Sequence, residues 1–385
     1  MMPQLAKSSN LNLKSPFHWL WTGDQALGEM LDAIDAAQHS VRLEMYIFHQ
    51  SPIGEDFLRA LVTASNRGVR VKVMLDALGS MLLPESFWAA LKENGGELRW
   101  FNPLNMSRFG FRDHRKILVC DQKVAFIGGF NIATEYLGDG VNTGWRDLGM
   151  KIYGPLVEEL SEAFDQMFSI ADFRQKRFSR LRRSRQQRLV KTDEAELLLS
   201  APGRQRNPIK KAIIADLKKA KRVQIICAYF LPTWNLRREL TAVARRGGQV
   251  QLILPGKSDV PLSQAASRSL YRRVMQSGVE IYEYGPQILH AKLIIVDDIV
   301  YAGSANLDMR SLHLNYELLV RIADADLAAE ARKIFTKDLT HSVRIDPDEW
   351  RASRTYWIRL RQRWAYFILA RLDPLITRHQ IRQLR

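Results

Sequence analysis

The stretch His114-Arg115-Lys116-Ile117-Leu118-Val119-Cys120-Asp121 returns as His290-Ala291-Lys292-Leu293-Ile294-Ile295-Val296-Asp297. In both copies Lys follows His by two residues and Asp follows Lys by five. Residues two apart on an extended strand point to one face, so each His shares a face with its Lys. The apolar residues between Lys and Asp read as buried strand. Each copy then runs through a second strand into a loop of small residues that closes on asparagine. The loops are Gly128-Gly129-Phe130-Asn131 and Gly303-Ser304-Ala305-Asn306. Asp121 to Asn131 is ten residues and Asp297 to Asn306 is nine, so the second turn is one residue shorter.

Outward from this pair the chain repeats a longer order. Residues 24–50 read as a helix and then an apolar strand, Val41–Phe48, and a helix pattern follows over 54–66 and ends at Gly68. A strand at Val69–Leu75, a helix at 84–94 and a strand at Leu98–Phe101 follow. The second half gives a helix at 208–220, a strand at Val223–Leu231, a helix at 235–246 closed by Gly247, a strand at Val250–Leu254, a helix at 262–276 and a strand at Val279–Tyr284. Tyr46-Ile47-Phe48 aligns with Tyr229-Phe230-Leu231, and Gly68 with Gly247. Alternating helices and strands predict α/β architecture, and the recurrence predicts a duplicated unit.

Each copy offers an imidazole, an ammonium, an amide and, beside glycine, backbone N–H groups that can approach an anion closely. That set suits a phosphate. Phosphodiester exchange needs two imidazoles, a neutral one to attack phosphorus and a protonated one to donate to the departing alcohol oxygen. An ordinary imidazole pKa of ~6.5 makes both forms accessible near neutrality. Lys116 and Lys292 would offset charge on the phosphoryl oxygens. The chemistry requires no metal or other cofactor, and no acidic cluster with the character of a magnesium site accompanies the motif.

The composition narrows the partner. The 385 residues carry 57 Lys+Arg against 41 Asp+Glu, a net charge of +16, with 46% hydrophobic residues. That profile excludes a largely disordered chain and points to an anionic partner. The excess is local. Residues 174–188 hold eight Lys/Arg, and 351–385 hold nine Arg against Asp373. The first run reads either as a solvated linker or as an anion-binding segment. In the second, arginines alternate with Tyr356, Trp357, Trp364, Tyr366 and Phe367. It reads as an amphipathic helix on an anionic membrane, or as a helix whose Trp/Phe face packs on the body. Residues 1–16 lack the apolar core of a signal peptide, and no run reaches the ~18–20 apolar residues of a membrane span. Cys120 and Cys227 sit in apolar strands and read as inert core. Histidines outside the motif read as structural.

The duplicated motif resembles the signature of the phospholipase D superfamily, over about residues 24–340. The resemblance implies two phospholipase D-like αβ repeats packed about a pseudo-twofold axis, with mixed sheets flanked by helices. It implies a covalent phosphohistidine and a site of His114, Lys116, Asp121, His290, Lys292 and Asp297, in which the two aspartates are mainly structural. Carboxylates that orient the histidines come later in each half, and Asp147 and Glu317 match. Gly129, Ser304, Asn131 and Asn306 would contact or orient phosphate, although both asparagines could instead cap the following helices. Ser304 lacks the elbow context of a nucleophile. Flanking residues, among them Trp145-Arg146-Asp147 and Asn306-Leu307-Asp308-Met309-Arg310-Ser311, look like bacterial cardiolipin synthases, most like the short B type. Asp113 departs from that pattern, which has Asn there, and could add negative charge near His114.

The domain boundaries expected are 1–170 for the first repeat, 171–194 for the basic linker, 195–345 for the second repeat and 346–385 for the tail. The expected activity is phosphatidyl transfer from phosphatidylglycerol to a second phospholipid hydroxyl, on the cytoplasmic side of the cell membrane as a peripheral protein. The rivals are a nuclease of the superfamily, for which the net charge would serve equally well, and a phospholipase or headgroup transferase using water or another alcohol.

Overall fold

The computed structural model describes residues 15–103, 110–171, 188–192, 195–202, 207–373 and 375. The leader reading at 1–14, the basic run 174–187 and the end of the tail at 376–385 lie outside them. The strands are β1 (Phe17–Leu20), β2 (Ser40–Met45), β3 (Arg70–Asp76), β4 (Glu97–Phe101), β5 (Ile117–Cys120), β6 (Val124–Gly128), β7 (Gly149–Tyr153) and β8 (Arg188–Lys191). They continue with β9 (Glu196–Ser200), β10 (Arg222–Cys227), β11 (Gln249–Pro255), β12 (Glu280–Tyr284), β13 (Lys292–Val296), β14 (Ile299–Gly303), β15 (Glu317–Ala323) and β16 (Ser342–Arg344).

Two mixed sheets result. The first has the order β1-β7-β6-β5-β2-β3-β4, and the second β16-β12-β11-β10-β13-β14-β15-β9-β8. From β7 to β4 and from β15 to β12 the order is the same, which is the duplication read from sequence. In each sheet the first two long strands are parallel and linked by a helix, Pro52–Asn66 or Trp234–Arg245. Those helices begin at Ser51 and Thr233, whose side chains accept from Gly54 N and Leu236 N. Each closes at a glycine with φ of +86°, Gly68 and Gly247, a conformation that only glycine adopts without strain. The strand β8 falls within the expected basic linker and pairs with β9, so part of that segment is sheet.

Apolar faces of the two sheets meet in one core, where Ile127 and Met150 of the first sheet belong with Ala302 and Leu318 of the second. The helices Leu156–Ile170 and Ala325–Thr340 follow equivalent strands and bury Leu160 and Ile334 in this layer. The outer faces carry separate clusters under the remaining helices.

Two expected strands end early, and the shortening has a use. Regular pairing in β2 stops at Met45 and in β10 at Cys227, and isolated bridges Phe48–Ile132 and Phe230–Leu307 resume the path. The break turns Tyr46 and Tyr229 into a common cavity. The length difference between the motif copies is absorbed far from that cavity. Cys120 pairs with Val124 across a three-residue turn, and Val296 with Ile299 across a two-residue turn. Asp121, Gln122 and Asp297 take positive φ there.

The tail is helical over Pro347–Ala352 and Tyr356–Phe367, continuing as a π-helical turn at Ile368–Leu372. Its packing reverses the expected alternative of a buried Trp/Phe face. Gln362 and Ala365 face inward, with Tyr366 and Leu369 against the body. Trp357, Trp364 and Phe367 stay outside, with relative exposures of 73%, 56% and 45%.

Candidate active site

The two halves touch along short parallel bridges, Asp113–Tyr316 and Arg146–Leu289. His114 N donates to Tyr316 O at 3.0 Å, and His290 N to Arg146 O at 2.8 Å. Each bridge sets the histidine of one half beside the carboxylate strand of the other. His114 Nδ1 lies 3.1 Å from Glu317, and His290 Nδ1 lies 2.6 Å from Asp147. The pairing therefore crosses between the repeats. The sequence supplies all four residues, but the crossing follows from the packing and has no local signal. Strand register makes the carboxylates equivalent: Gly128 pairs with Gly149 and Gly303 with Leu319, and each carboxylate lies two residues before the partner.

The loop residues differ to fit carboxylates of different length. A Cβ on Gly129 would stand 2.0 Å from Asp147 Oδ1, so only glycine leaves room for that carboxylate. Ser304, at the matching position, donates to Glu317 Oε2 at 2.5 Å, while Ser311 donates to Oε1 at 2.7 Å. Both carboxylates are fully buried. Burial alone would raise the Glu317 carboxyl, but His114, Lys116 and the hydrogen bonds from His114 and Ser304 outweigh it and hold it below the usual range. For Asp147 burial is likewise overcome, by Lys292 and His290. An ionised carboxylate at Nδ1 keeps the proton on that nitrogen and presents Nε2 to the cavity. Burial pulls His114 down to about 4 against the pull of Glu317. Burial and then Lys292 lower His290. Both shifts favour the neutral imidazole, and a phosphate anion in the cavity would favour protonating one of them.

The cavity has a volume of about 330 Å³ and is lined by both histidines. Tyr46 stands 4.9 Å from His114 and Tyr229 6.4 Å from His290, centroid to centroid. Neither lysine is among the cavity-lining residues. Lys116 Nζ donates to His114 O at 2.7 Å, and Lys292 Nζ to His290 O. Lys292 Nζ also lies 3.0 Å from Nδ1 and 3.3 Å from Nε2 of His290, and Lys116 Nζ lies 5.0 Å from the centroid of the Tyr46 ring. Burial lowers Lys116 to about 7 and also lowers Lys292.

The signature aspartates are elsewhere. Asp121 accepts from the amides of Gln38, His39 and Ser40 at 2.7–2.9 Å, and Asp297 from those of Lys221 and Arg222. Each ties the turn after its motif strand to the start of the neighbouring strand. Neither asparagine caps a helix. Ala133 and Asp308 occupy the cap positions, and Asp308 accepts from Ser311 N. Asn131 accepts from Ile47 N at 3.0 Å and donates to Tyr136 Oη at 2.6 Å. Asn306 lines the cavity and its side-chain oxygen has no partner. The charge of Asp113 is turned toward Arg115, which also holds Glu44 at 2.6 Å, and burial raises both carboxyls. Arg146 and Arg310, both within the flanking motifs, are bound to Asp338 of the other half at 2.8 Å and to Asp373 at 2.6 Å, partners the motif spacing does not signal. No group of His, Cys, Asp and Glu suited to a metal occurs among the described residues.

Lys116 has a measurable cost in the fold. Its folded pKa is depressed, from an ordinary 10.5 to about 7, so its contribution to stability is greatest above 10.5 and falls as pH drops toward 7. Lys116→Met is expected to raise stability by on the order of 1–3 kcal/mol at pH 7. The gain should shrink as pH approaches 10, while activity is lost at every pH. Thermal denaturation across pH 7–10 checks this, and a gain independent of pH would contradict it.

Comparison with known proteins places this geometry. A family model described as "Cardiolipin synthase, PLD-like domain" matches residues 30–168 and 213–339. The chain is 31% identical over 378 residues to a cardiolipin synthase of Geobacillus kaustophilus, covering 95% of this chain and 73% of that protein. It is 32% identical over 348 residues to one of Geobacillus thermodenitrificans, covering 87% and 68%. The crystal structure of phosphatidylserine synthase from Haemophilus influenzae shares the fold, with a TM-score of 0.75 at 17% identity over 94% of this chain and 95% of that one. With two matched repeats, a paired-histidine cavity between them and relatives that run along nearly its whole length, the chain belongs to the cardiolipin synthase family of phospholipase D-like proteins.

Proposed function

We propose that the chain is a phosphatidyltransferase that makes cardiolipin from phosphatidylglycerol. The observation that carries this reading is the pair of histidines on one cavity, each oriented by a buried carboxylate of the opposite half, in a chain of this family. His114 Nε2 attacks phosphorus and the bond to glycerol breaks. His290 gives its proton to the departing oxygen. Nitrogen and phosphorus are then joined in a phosphatidyl-histidine. A hydroxyl of a second phosphatidylglycerol attacks, returns its proton to His290 and releases His114. One phosphodiester replaces another, so no cofactor is consumed. Lys116 and Lys292 beside the imidazoles offset the charge on the phosphoryl oxygens, and Nδ2 of Asn306, which lines the cavity, can donate to one of them.

Peripheral attachment to the cytoplasmic face of the membrane fits the same reading. No helix among the described residues is long and apolar enough to cross a bilayer. The helix Tyr356–Phe367 leaves its tryptophans exposed, and its continuation brings Leu369 and Asp373 to the cavity. An aromatic ridge beside the mouth suits delivery of lipid rather than of a nucleic acid.

The test is product analysis. The purified protein is incubated, with chelator, with phosphatidylglycerol vesicles and separately with single-stranded DNA. Cardiolipin and free glycerol are expected, with DNA intact. Phosphatidic acid alone would identify a phospholipase, and cut DNA a nuclease.

A further inference from the structure

Beneath the C-terminal helix lies a second concave site, with a cavity of about 120 Å³. It sits among the helices Pro261–Arg268, Tyr271–Met275, Pro347–Ala352 and Tyr356–Phe367. Six arginines line it: Arg268, Arg272, Arg351, Arg354, Arg359 and Arg363. Two of them have carboxylate partners, Arg268 with Glu283 at 2.7 Å and Arg351 with Asp348 at 2.5 Å. Arg272, Arg354, Arg359 and Arg363 have no ion-pair partner among the described residues. Arg272, Arg359 and Arg363 are exposed and Arg354 is half-buried, so the groove presents a concentration of positive charge that an anion entering it would meet.

The groove is built rather than incidental. The Arg354 guanidinium lies 3.3 Å above the Trp350 ring, and Trp350 stacks on Tyr271 at 4.9 Å. Nε of Arg354 is buried and has no hydrogen-bond partner. Burial and the charge of Arg268 pull its pKa below the ordinary arginine range. A planar fork fixed on an aromatic platform is suited to two parallel hydrogen bonds with a phosphate. Arg359 and Arg363 are one helical turn apart and so share a flank of the C-terminal helix. On the adjoining face stand Trp364 and Phe367, exposed and with ring centroids 5.9 Å apart.

We propose that this groove is a phosphate-binding site separate from the His114–His290 cavity, and that it takes the headgroup phosphate of an anionic lipid. The aromatic ridge beside it would enter the headgroup boundary at the depth where such phosphates lie. The site does not depend on what is transferred at the catalytic cavity, because none of its residues lines that cavity.

The test compares Arg272→Gln/Arg363→Gln with a control pair, Arg361→Gln/Arg371→Gln, which removes the same charge from outside the groove. Sedimentation is measured with vesicles of phosphatidylcholine containing phosphatidylglycerol, and thermal stability is measured with and without inorganic phosphate. Circular dichroism checks that each variant is folded. The groove pair is expected to weaken vesicle binding about 30-fold and the control pair less than about 5-fold. The groove pair should also lose the stabilisation by phosphate that the unaltered chain shows. Loss of the phosphate response alone would assign the groove to a soluble phosphate compound, and selective loss of vesicle binding alone to a lipid headgroup. Equal effects of the two pairs, or no effect in either assay, would overturn the proposal.

Discussion

Alanine at His114 or at His290 is expected to lower phosphatidyl transfer by at least about 10⁴-fold, because each residue belongs to a unit that works only when complete. The two variants should differ once the leaving group is changed. A phosphatidyl ester of p-nitrophenol departs as a stable phenolate and needs no proton from the protein. His290→Ala should then release one equivalent of nitrophenolate per site in a burst and stop, since no base remains to activate the acceptor. His114→Ala should give no burst. The reverse pattern would exchange the two roles. Cardiolipin made at the normal rate by either variant would refute the paired-histidine mechanism. The neutral state that burial imposes on His114 fits a nucleophile, since its lone pair is available down to about pH 4. His290 has to gain its proton on substrate binding, when the phosphate charge offsets burial and the neighbouring Lys292.

Much of this was legible from the chain because the chemistry is written twice. The repeated His-x-Lys spacing identified both motif strands, and period-two and helical patterns placed the elements around them. The sheet order could not be read so directly. The strands β5 and β13 pair with β2 and β10, although helices and two further strands intervene in sequence. The early ends of β2 and β10 were also hidden, since apolar residues continue through Phe48 and Leu231. Tyr46 and Tyr229 leave the sheet there because the cavity, not strand propensity, decides their direction. The tail left two readings open, a helix on an anionic membrane and a helix with its Trp/Phe face packed on the body; Gln362 and Ala365 face the body and the tryptophans face outward, against the second. The pairings of Arg310 with Asp373 and of Asp338 with Arg146 could not be read because the partners are remote in sequence and meet only after folding.

Asp147→Asn and Glu317→Gln carry the second large effect, an expected loss of about 10²- to 10⁴-fold in turnover. The reason is the tautomer rather than the shape. An amide in place of Glu317 can turn an N–H toward Nδ1 of His114, which forces the ring proton onto Nε2 and removes the lone pair that attacks phosphorus. Ser304 and Ser311 would still hold the side chain in position, so the fold should survive. The crossing of the halves makes the outcome distinctive. With the p-nitrophenyl ester, Glu317→Gln should slow the burst because its partner is the nucleophile in the first repeat. Asp147→Asn should leave the burst near its normal rate and block the second step, because its partner is His290. Pairing within each half would give the opposite assignment. A further consequence separates a direct pair from a general loss of order. His290→Ala/Asp147→Asn should be no slower than His290→Ala, since the carboxylate acts through the imidazole that has already been removed, whereas His290→Ala/Glu317→Gln should also lose the burst. Additive losses in the first double variant would mean that Asp147 acts on the phosphate itself, which its position behind His290 and against Gly129 argues against.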